Sequence, residues 1–454
     1  MNRRAFLKQA ALACGSSAAL ATAGCGTLTG YKGARTSSML GFRAEPLKKI
    51  RVGVIGVGAR GTGAVKSLSK IPDVTVTALS DLRDERVAIN QKILKDNGLP
   101  AAKGYSGSPE AWRALCESPD VDLVYICTPW WWHTPMSVMA MKCGKHAATE
   151  IPAGVTVDEC WELVETSEKT RRHCMMLENC CYGENELLML NMCRRGVLGD
   201  LVHGEGAYIH EMRASKWREE KEGGRQGRWR LEWSRKHTGN PYPCHGLGPV
   251  CQYLSINRGD ALEYLNSAST DPFGLAPFGA AKYGPESPEA RFKIKQGDMN
   301  TSIIRTRRGR TIMLQHDTTS PRPYSRLNLI SGTKGIVADY PLRMALEPDY
   351  HKWMDDKKLA ETVKQYRHPL WRASGEKAKK AGGHGGMDFI MQLRMCHCLQ
   401  NGLPLDMDVY DAALWSSIVE LSERSVLRRG APIDIPDFTR GGWKTAEPLG
   451  IVTL

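Results

Sequence analysis

Short apolar runs alternate with amphipathic stretches through the first part of the chain. Val52, Val54 and Ile55 form a β-branched run suited to a strand buried on both faces. Val74–Leu79 and Val121–Cys127 repeat the pattern, Gly144–Ile151 turns into another strand, and His173–Leu177 makes the next. Between them Thr62–Ile71, Arg83–Asn97, Pro109–Glu117, Thr134–Cys143 and Val157–Thr170 have helical composition. Strand and helix alternating to about Gly199 predict an α/β domain over 48–199, a Rossmann-type doubly wound parallel sheet. From Leu201 the period changes, and Leu201–Met212 alternates as a half-buried strand does. A basic loop with three tryptophans follows over Arg213–Thr238. Ile303–Arg307, Thr311–His316 and Leu327–Ile330 then read as a strand meander turning at Arg308-Gly309. The expectation is a second, α+β domain over 200–454 with a mainly antiparallel sheet. Gly386–Leu399 and Val409–Leu427 read as helices that pack back onto both domains. A length of 454 residues suits this organisation.

The first strand runs into Gly56, Gly58 and Gly61 at G-x-G-x-x-G spacing. There the glycines allow a tight turn, a close approach of pyrophosphate, and close packing of helix on strand. The next helix would aim its free N–H groups at the phosphates. The second strand ends at Asp81, twenty residues beyond Gly61. An acid there binds the ribose hydroxyls of NAD and repels the extra phosphate of NADP. Arg83 is the one nearby residue that would serve NADP instead. The third strand delivers Trp130, Trp131, Trp132 and His133 to the same edge, and at least one tryptophan is expected beside the nicotinamide.

Composition narrows the partners. The formal net charge is +13, and the basic residues are scattered, the densest run being Lys377–Lys380. A nucleic-acid face would concentrate its charge among aromatics, so no nucleic-acid partner is expected. Arg3, Arg4 and Lys8 precede an alanine-rich apolar stretch, which looks like a twin-arginine export signal. Thr22-Ala23-Gly24-Cys25 resembles a lipoprotein box with threonine where leucine is usual. The reading is export to the periplasm or the envelope, with a lipid anchor at Cys25. The alternative is an amino-terminal membrane anchor. Removing this segment would lower the positive charge by three. Most of the fourteen cysteines lie in apolar segments and read as small core residues; no C-x-x-C pair points to zinc, and no metal is expected. A homo-oligomer is compatible with the sequence but not specified by it.

The most unusual stretch of the second half is Asn240-Pro-Tyr242-Pro243-Cys244-His245-Gly-Leu-Gly-Pro249. Rigid backbone around one tyrosine and one histidine can hold a proton-transfer pair in place. The plainer reading is a helix start carrying a buried, hydrogen-bonded histidine. Cys244 as a nucleophile beside His245 is disfavoured, because adjacent side chains seldom point together.

From Gly56 through Thr128-Pro129, His133 and Gly144-Lys145-His146 the chain resembles the glucose-fructose oxidoreductase and inositol dehydrogenase superfamily. Those dehydrogenases commonly carry Glu-Lys-Pro after the next strand, where the lysine helps deprotonate an alcohol. Here the triplet is Glu150-Ile151-Pro152, and isoleucine accepts no proton. A narrower resemblance, to glycoside hydrolase family 109, the NAD-dependent α-N-acetylgalactosaminidases, covers nearly the whole mature chain. Its marks are Trp-x-Trp-His at 130–133, Leu177–Tyr182, Leu201–Tyr208, Tyr242–Pro249, Ile256–Asp260, His316-Asp317-Thr318, Arg322-Pro323-Tyr324, His384–Asp388 and Ile435–Phe438. Trp131 departs from a frequent glutamate and Cys244 from a threonine, and the 213–238 loop aligns insecurely.

That resemblance implies hydrolysis of terminal N-acetylgalactosamine, α-linked, from a glycan or small glycoside. By the same resemblance hydride would leave sugar C3 for NAD, the acidified C2 proton would be removed as the C1 substituent departs, water would add at C1, and hydride would return to C3. It implies His245 as the principal base, with Tyr242 beside it near sugar and nicotinamide. Glu178, Tyr208, Arg230 and Tyr324 would hold the sugar, with Pro243 and Cys244 lining the same segment. Cofactor contacts would come from Ala59 and Arg60 in the glycine turn, Asp81, Trp130 to His133, Glu150, Ile151, Asn179 and Tyr242. Two other readings stay open: an NAD-dependent sugar oxidoreductase of the wider superfamily, and a non-catalytic sugar- or NAD-binding protein.

Overall fold

The computed structural model describes residues 37–217 and 228–454. The leader read over residues 1–25, with Arg3, Arg4 and Cys25, lies outside the described residues, as does the middle of the 213–238 loop. Among the described residues no helix is long and apolar enough to cross a membrane.

Six strands build the first sheet: β1 (Ile50–Ile55), β2 (Val74–Ser80), β3 (Lys103–Tyr105), β4 (Leu123–Ile126), β5 (His146–Thr149) and β6 (Cys174–Met176). Their order is β3-β2-β1-β4-β5-β6, and every pairing is parallel. Helices α1 (Ala59–Leu68), α2 (Asp84–Asp96), α3 (Ala111–Glu117), α4 (His133–Lys142) and α5 (Val157–Thr170) make the crossovers. β4, β5 and β6 are buried at every position, as strands covered on both faces must be. β3 escapes the sequence pattern because Lys103-Gly104-Tyr105 is short and carries no apolar run. α5 begins where its sequence says it should: the Thr156 side chain accepts from Glu159 N, and the Glu159 carboxylate accepts from Thr156 N.

The order reverses between β1 and β4, so their carboxyl ends open a crevice. Beyond α6 (Glu184–Arg194) the chain enters the second sheet at β7 (Leu201–Ile209). The 213–238 stretch, expected as a loop, forms α7 (Arg213–Trp217) and α8 (Trp229–Lys236) at its two ends. α9 (Cys244–Tyr253), β8 (Leu262–Ser269), α10 (Leu275–Tyr283), β9 (Met299–Thr306), β10 (Thr311–Asp317), β11 (Leu329–Gly332), β12 (Gly335–Ala338) and β13 (Arg343–Leu346) follow. Helices α11 (Asp356–Tyr366), α12 (Pro369–Ala381), α13 (Met387–Asn401) and α14 (Val409–Leu427) and strand β14 (Ile433–Asp434) complete the chain.

The second sheet runs β13-β12-β11-β7-β10-β9-β8-β14, all antiparallel except β7 beside β10. The expected three-strand meander is therefore corrected. β9 and β10 form a hairpin, but β7 separates β10 from β11. Local periodicity specifies that a strand exists, while its partners are chosen by long-range packing. β7 takes the centre because Ala207, Tyr208 and Ile209 are all buried and need cover on both sides.

α14 packs against α5 and β6 of the first sheet and β8 of the second, and α13 touches α1 and the turn at Asn179–Tyr182. One continuous apolar core results, reaching from Val52 and Ile126 to Trp415 and Phe438. The twelve described cysteines are free thiols, nine of them buried.

Candidate active site

The cofactor edge is shaped by two glycines. Gly56 has φ +83°, and a Cβ there would lie 2.7 Å from the Cys127 carbonyl oxygen. A Cβ on Gly61 would come 2.1 Å from the Gly56 carbonyl oxygen, so α1 can lie this close to β1 only without a side chain. No acidic residue occupies the first turn of α1, whose amino end carries Arg60. Asp81 closes β2 and accepts a hydrogen bond from Arg83 N at 3.2 Å. This cradle fits a dinucleotide: bare backbone in the glycine turn, and an acid at the end of the neighbouring strand.

Arg60 ties the turn to the rest of the molecule. Its Nε donates to Glu150 Oε1 at 2.6 Å and its Nη1 to Asp388 Oδ2 at 2.6 Å. Asp388, at the start of α13, also accepts from Asn179 Nδ2 at 2.6 Å and pairs with His384 Nδ1 at 2.9 Å. Burial works against the Asp388 carboxylate, but the His384 hydrogen bond and Arg60 hold it well below the usual range. Burial pushes Glu150 upward, opposed by Arg60.

The second cluster rests on a contact between α9 and β7. A Cβ on Gly206 would meet the Gly246 carbonyl oxygen at 2.1 Å, and a Cβ on Gly246 would meet Ala207 N at 2.3 Å. Backbone lies on backbone, and this brings the His245 ring to 5.3 Å from Tyr208. Tyr242 stands 5.0 Å from His245 and 4.8 Å from Tyr208, and Tyr324 is 6.4 Å from Tyr208. His245 Nδ1 lies 2.7 Å from Glu178 Oε1, which also accepts from Cys180 N at 2.9 Å. Glu178 is fully buried, and its Oε2 has no partner. Glu178, Cys180 and His245 bring ligand-type atoms within 4.8 Å of one another, but the Glu178 and His245 atoms are already hydrogen-bonded to each other, and burial keeps the Cys180 thiol protonated.

Electrostatics separates the roles. Burial raises Tyr242 well above its ordinary value, with Arg230 opposing, and raises Tyr208 to about 12. Both phenols stay protonated near neutrality and act as hydrogen-bond groups. With Nδ1 held by a carboxylate, the imidazole offers Nε2 for proton transfer.

Between these rings and the second sheet lies a small cavity lined by Trp130, Tyr208, Arg230, Tyr242 and the buried Lys216, Ser234, Gln296 and His316. The Arg230 guanidinium sits about 5 Å from the faces of Trp130, Trp229 and Tyr242.

Comparison with known proteins agrees with this geometry. Residues 50–178 match the model of an oxidoreductase family with an NAD-binding Rossmann fold. Residues 182–445 match the model of the glycosyl hydrolase 109 C-terminal domain. The chain belongs to glycosyl hydrolase family 109. It is 49% identical over 407 residues to an alpha-N-acetylgalactosaminidase of Bacteroides fragilis, covering 89% of this chain and 96% of that protein. It is 45% identical to a glycosyl hydrolase family 109 protein of Shewanella pealeana, over the whole of this chain and 99% of the relative. Among solved structures, levoglucosan dehydrogenase in complex with NADH and levoglucosan superposes with TM-score 0.62 at 18% identity, over 86% of this chain and all of that one. An aldose-aldose oxidoreductase of Caulobacter crescentus gives 0.58 at 16%, over 85% of this chain and all of that one. These structural likenesses concern the fold.

Within this family 109 chain the structure gathers Trp130, Tyr208, Arg230, Tyr242, His245 and Tyr324 into one site, with Glu178 directly behind His245. Trp130 meets Trp229 and Trp233 edge-on. Trp131 is 41% exposed and touches Trp229, whereas Trp132 turns away to pack on Trp112. His133 is buried with Nδ1 2.6 Å from the Pro152 carbonyl and Nε2 2.8 Å from that of Thr128, which makes it a brace for the turn after β4. Burial pushes it down to about 4. Ile151 is buried in the core. Cys244 faces Met176, and burial holds its thiol far above reactivity. The plainer expectation for the 240–249 stretch also holds in part: His245 is hydrogen-bonded in the first turn of a helix.

Several residues of the site escaped sequence reasoning. Lys216, Ser234 and Gln296 come from separate segments with no shared period. Arg326, which donates from Nη1 to Tyr324 Oη at 2.9 Å and pairs with Glu186, also carried no local signal. His316, Thr318 and Asp388 stand in family-like blocks, which is the one hint available.

Proposed function

We propose that this chain hydrolyses the glycosidic bond of terminal, α-linked N-acetylgalactosamine with the help of bound NAD. The observation that carries the reading is the Glu178–His245 pair, 2.7 Å apart, set among Tyr208, Tyr242 and Tyr324 beside the cofactor edge. Bound NAD supplies reversible hydride acceptance at a sugar carbon. His245 Nε2 takes the neighbouring carbon-bound proton, while Glu178 holds the ring by Nδ1 and stabilises the imidazolium. The protonated Tyr208, Tyr242 and Tyr324 orient hydroxyls, and Arg230 stands over the aromatic wall that excludes water from that side. The name of the Bacteroides fragilis relative supports the sugar and the anomer.

The test is incubation with nitrophenyl α- and β-N-acetylgalactosaminides and the matching glucosaminides in deuterated water. Nitrophenol release from the α-galactosaminide, with deuterium at C2 of the sugar, is expected. Steady NADH formation from free sugars without release would return the protein to the oxidoreductases.

Export is part of the same proposal. Arg3-Arg4 ahead of an apolar stretch supports the twin-arginine route, and Ala23-Gly24-Cys25 supports lipid attachment at the envelope. Replacing both arginines by lysine should leave the precursor in the cytoplasmic fraction, and Cys25→Ala should abolish incorporation of labelled fatty acid. Unchanged fractionation would refute the route.

A further inference from the structure

The cavity beside the sugar site is electrostatically incomplete. Lys216 is 6% exposed, and its Nζ has one partner, Ser234 Oγ at 3.4 Å. Arg230 Nε is buried with no partner, and neither cation forms an ion pair among the described residues. Asp298, the acid whose charge acts on Lys216, is engaged by Phe273 N, Gly274 N and Thr319 Oγ1. Gln296 is 5% exposed; its Oε1 accepts from Ser234 at 2.6 Å, and its Nε2 has no partner. His316, 3% exposed with Nδ1 unpartnered, is pushed down to about 3 by burial, Lys216 and Arg230, so it adds no charge. Two cations and an amide donor thus converge on one cavity, where an unpaired buried charge is costly.

Size restricts what can enter. The cavity has about 20 Å³ of room, on the scale of one or two water molecules, so the end of a substituent can reach into it but a sugar ring cannot. It shares Tyr208, Arg230 and Tyr242 with the site proposed for the sugar, so the substituent belongs to the sugar itself. A hydroxyl or an amide carbonyl would satisfy donors but bring no countercharge to Lys216, or to Arg230, which among the described residues has only aromatic faces around it.

We propose that this cavity receives a small oxyanionic group, a carboxylate or a sulfate ester, borne by the bound N-acetyl sugar, with Lys216 and Arg230 as its countercharges. The inference rests on the reading of the neighbouring cluster as a sugar site, and acidic N-acetylhexosamines then become the favoured substrate class.

Calorimetry on the NAD-loaded full chain would compare N-acetylgalactosamine with its 4-sulfate, its 6-sulfate and 2-acetamido-2-deoxygalacturonic acid. At least one anionic sugar should bind ten times more tightly than the neutral parent at pH 7, and the winning arm names the group. The preference should fall below twofold in Lys216→Met and persist in Lys216→Arg. Being a ratio on one preparation, it is insensitive to a general loss of affinity. In the unmodified protein it should shrink at least threefold between pH 7 and 9, because burial and Arg230 push Lys216 down to about 8 against the pull of Asp298. A neutral sugar that binds as tightly as all three anions, or a preference untouched by both Lys216→Met and pH, would overturn the inference. Binding needs no turnover, so the two readings separate. Hydrolysis without anionic preference overturns the cavity's role alone, and anionic preference without hydrolysis overturns the glycosidase alone.

Discussion

Glu178 accepts from Cys180 N and His245 Nδ1 through a single oxygen, and this bond fixes which ring nitrogen meets the substrate. His245→Ala should lower kcat by about 10²–10⁴, the usual worth of a positioned proton-transfer group. Bound NAD, read from absorbance of the denatured protein, should not change. Glu178 acts through His245, so Glu178→Gln should lower kcat by roughly 10–10² with KM and bound NAD nearly constant. If KM rose while kcat held, Glu178 would be a sugar ligand instead. Sequence placed both residues at the site, but it could not say that one stands behind the other.

Among elements, two joints decide where the chemistry sits. The first is α1 against β1: a methyl group on Gly61 would press on the Gly56 carbonyl oxygen. Gly61→Ala should therefore purify without dinucleotide and melt at lower temperature; full NAD content would show that the turn has room to adjust. The second ties the turn after α9 to the start of α14. Arg258 donates to Asp411 Oδ2 at 2.7 Å and to Asp408 Oδ2 at 2.9 Å, with all three side chains mostly buried. Asp411→Ala leaves Arg258 short of countercharge and removes the reciprocal cap of α14. A loss of about 3–5 kcal/mol in denaturant unfolding is expected, and a loss under 1 kcal/mol would mean that Asp408 alone suffices.

Across the whole molecule, burial keeps five histidines neutral. It pushes His133, His146 and His368 down to about 4, and His173 and His316 to about 3. In the unfolded chain each would titrate near its ordinary value of about 6.5. Below that pH the unfolded state binds more protons than the folded one, so stability is full above about 6.5 and drains away as pH falls toward 4. Each histidine contributes on the order of 1 kcal/mol by pH 5.5. The urea midpoint should fall steadily from pH 7.5 to 5.5. A flat profile would mean that these imidazoles charge without unfolding the protein.

Much of the architecture was legible beforehand because it is written in local chemistry. Buried parallel strands such as β1 and β2 show as runs rich in β-branched residues, a phosphate turn needs glycines at fixed spacing, and a capped helix such as Val157–Thr170 announces its start. Family-like blocks added the identity of Tyr208, Tyr242, His245 and Tyr324. What the sequence could not decide was partnership across space. β7 entered between β10 and β11, Gly206 met Gly246, Arg60 joined the glycine turn to Asp388, and Lys216 met Gln296 around a cavity. Such contacts depend on which distant segments pack together, and a single chain's periodicity carries no term for that. Hydrophobic pattern determined the elements; burial of polar groups in the folded molecule decided which of them form a site.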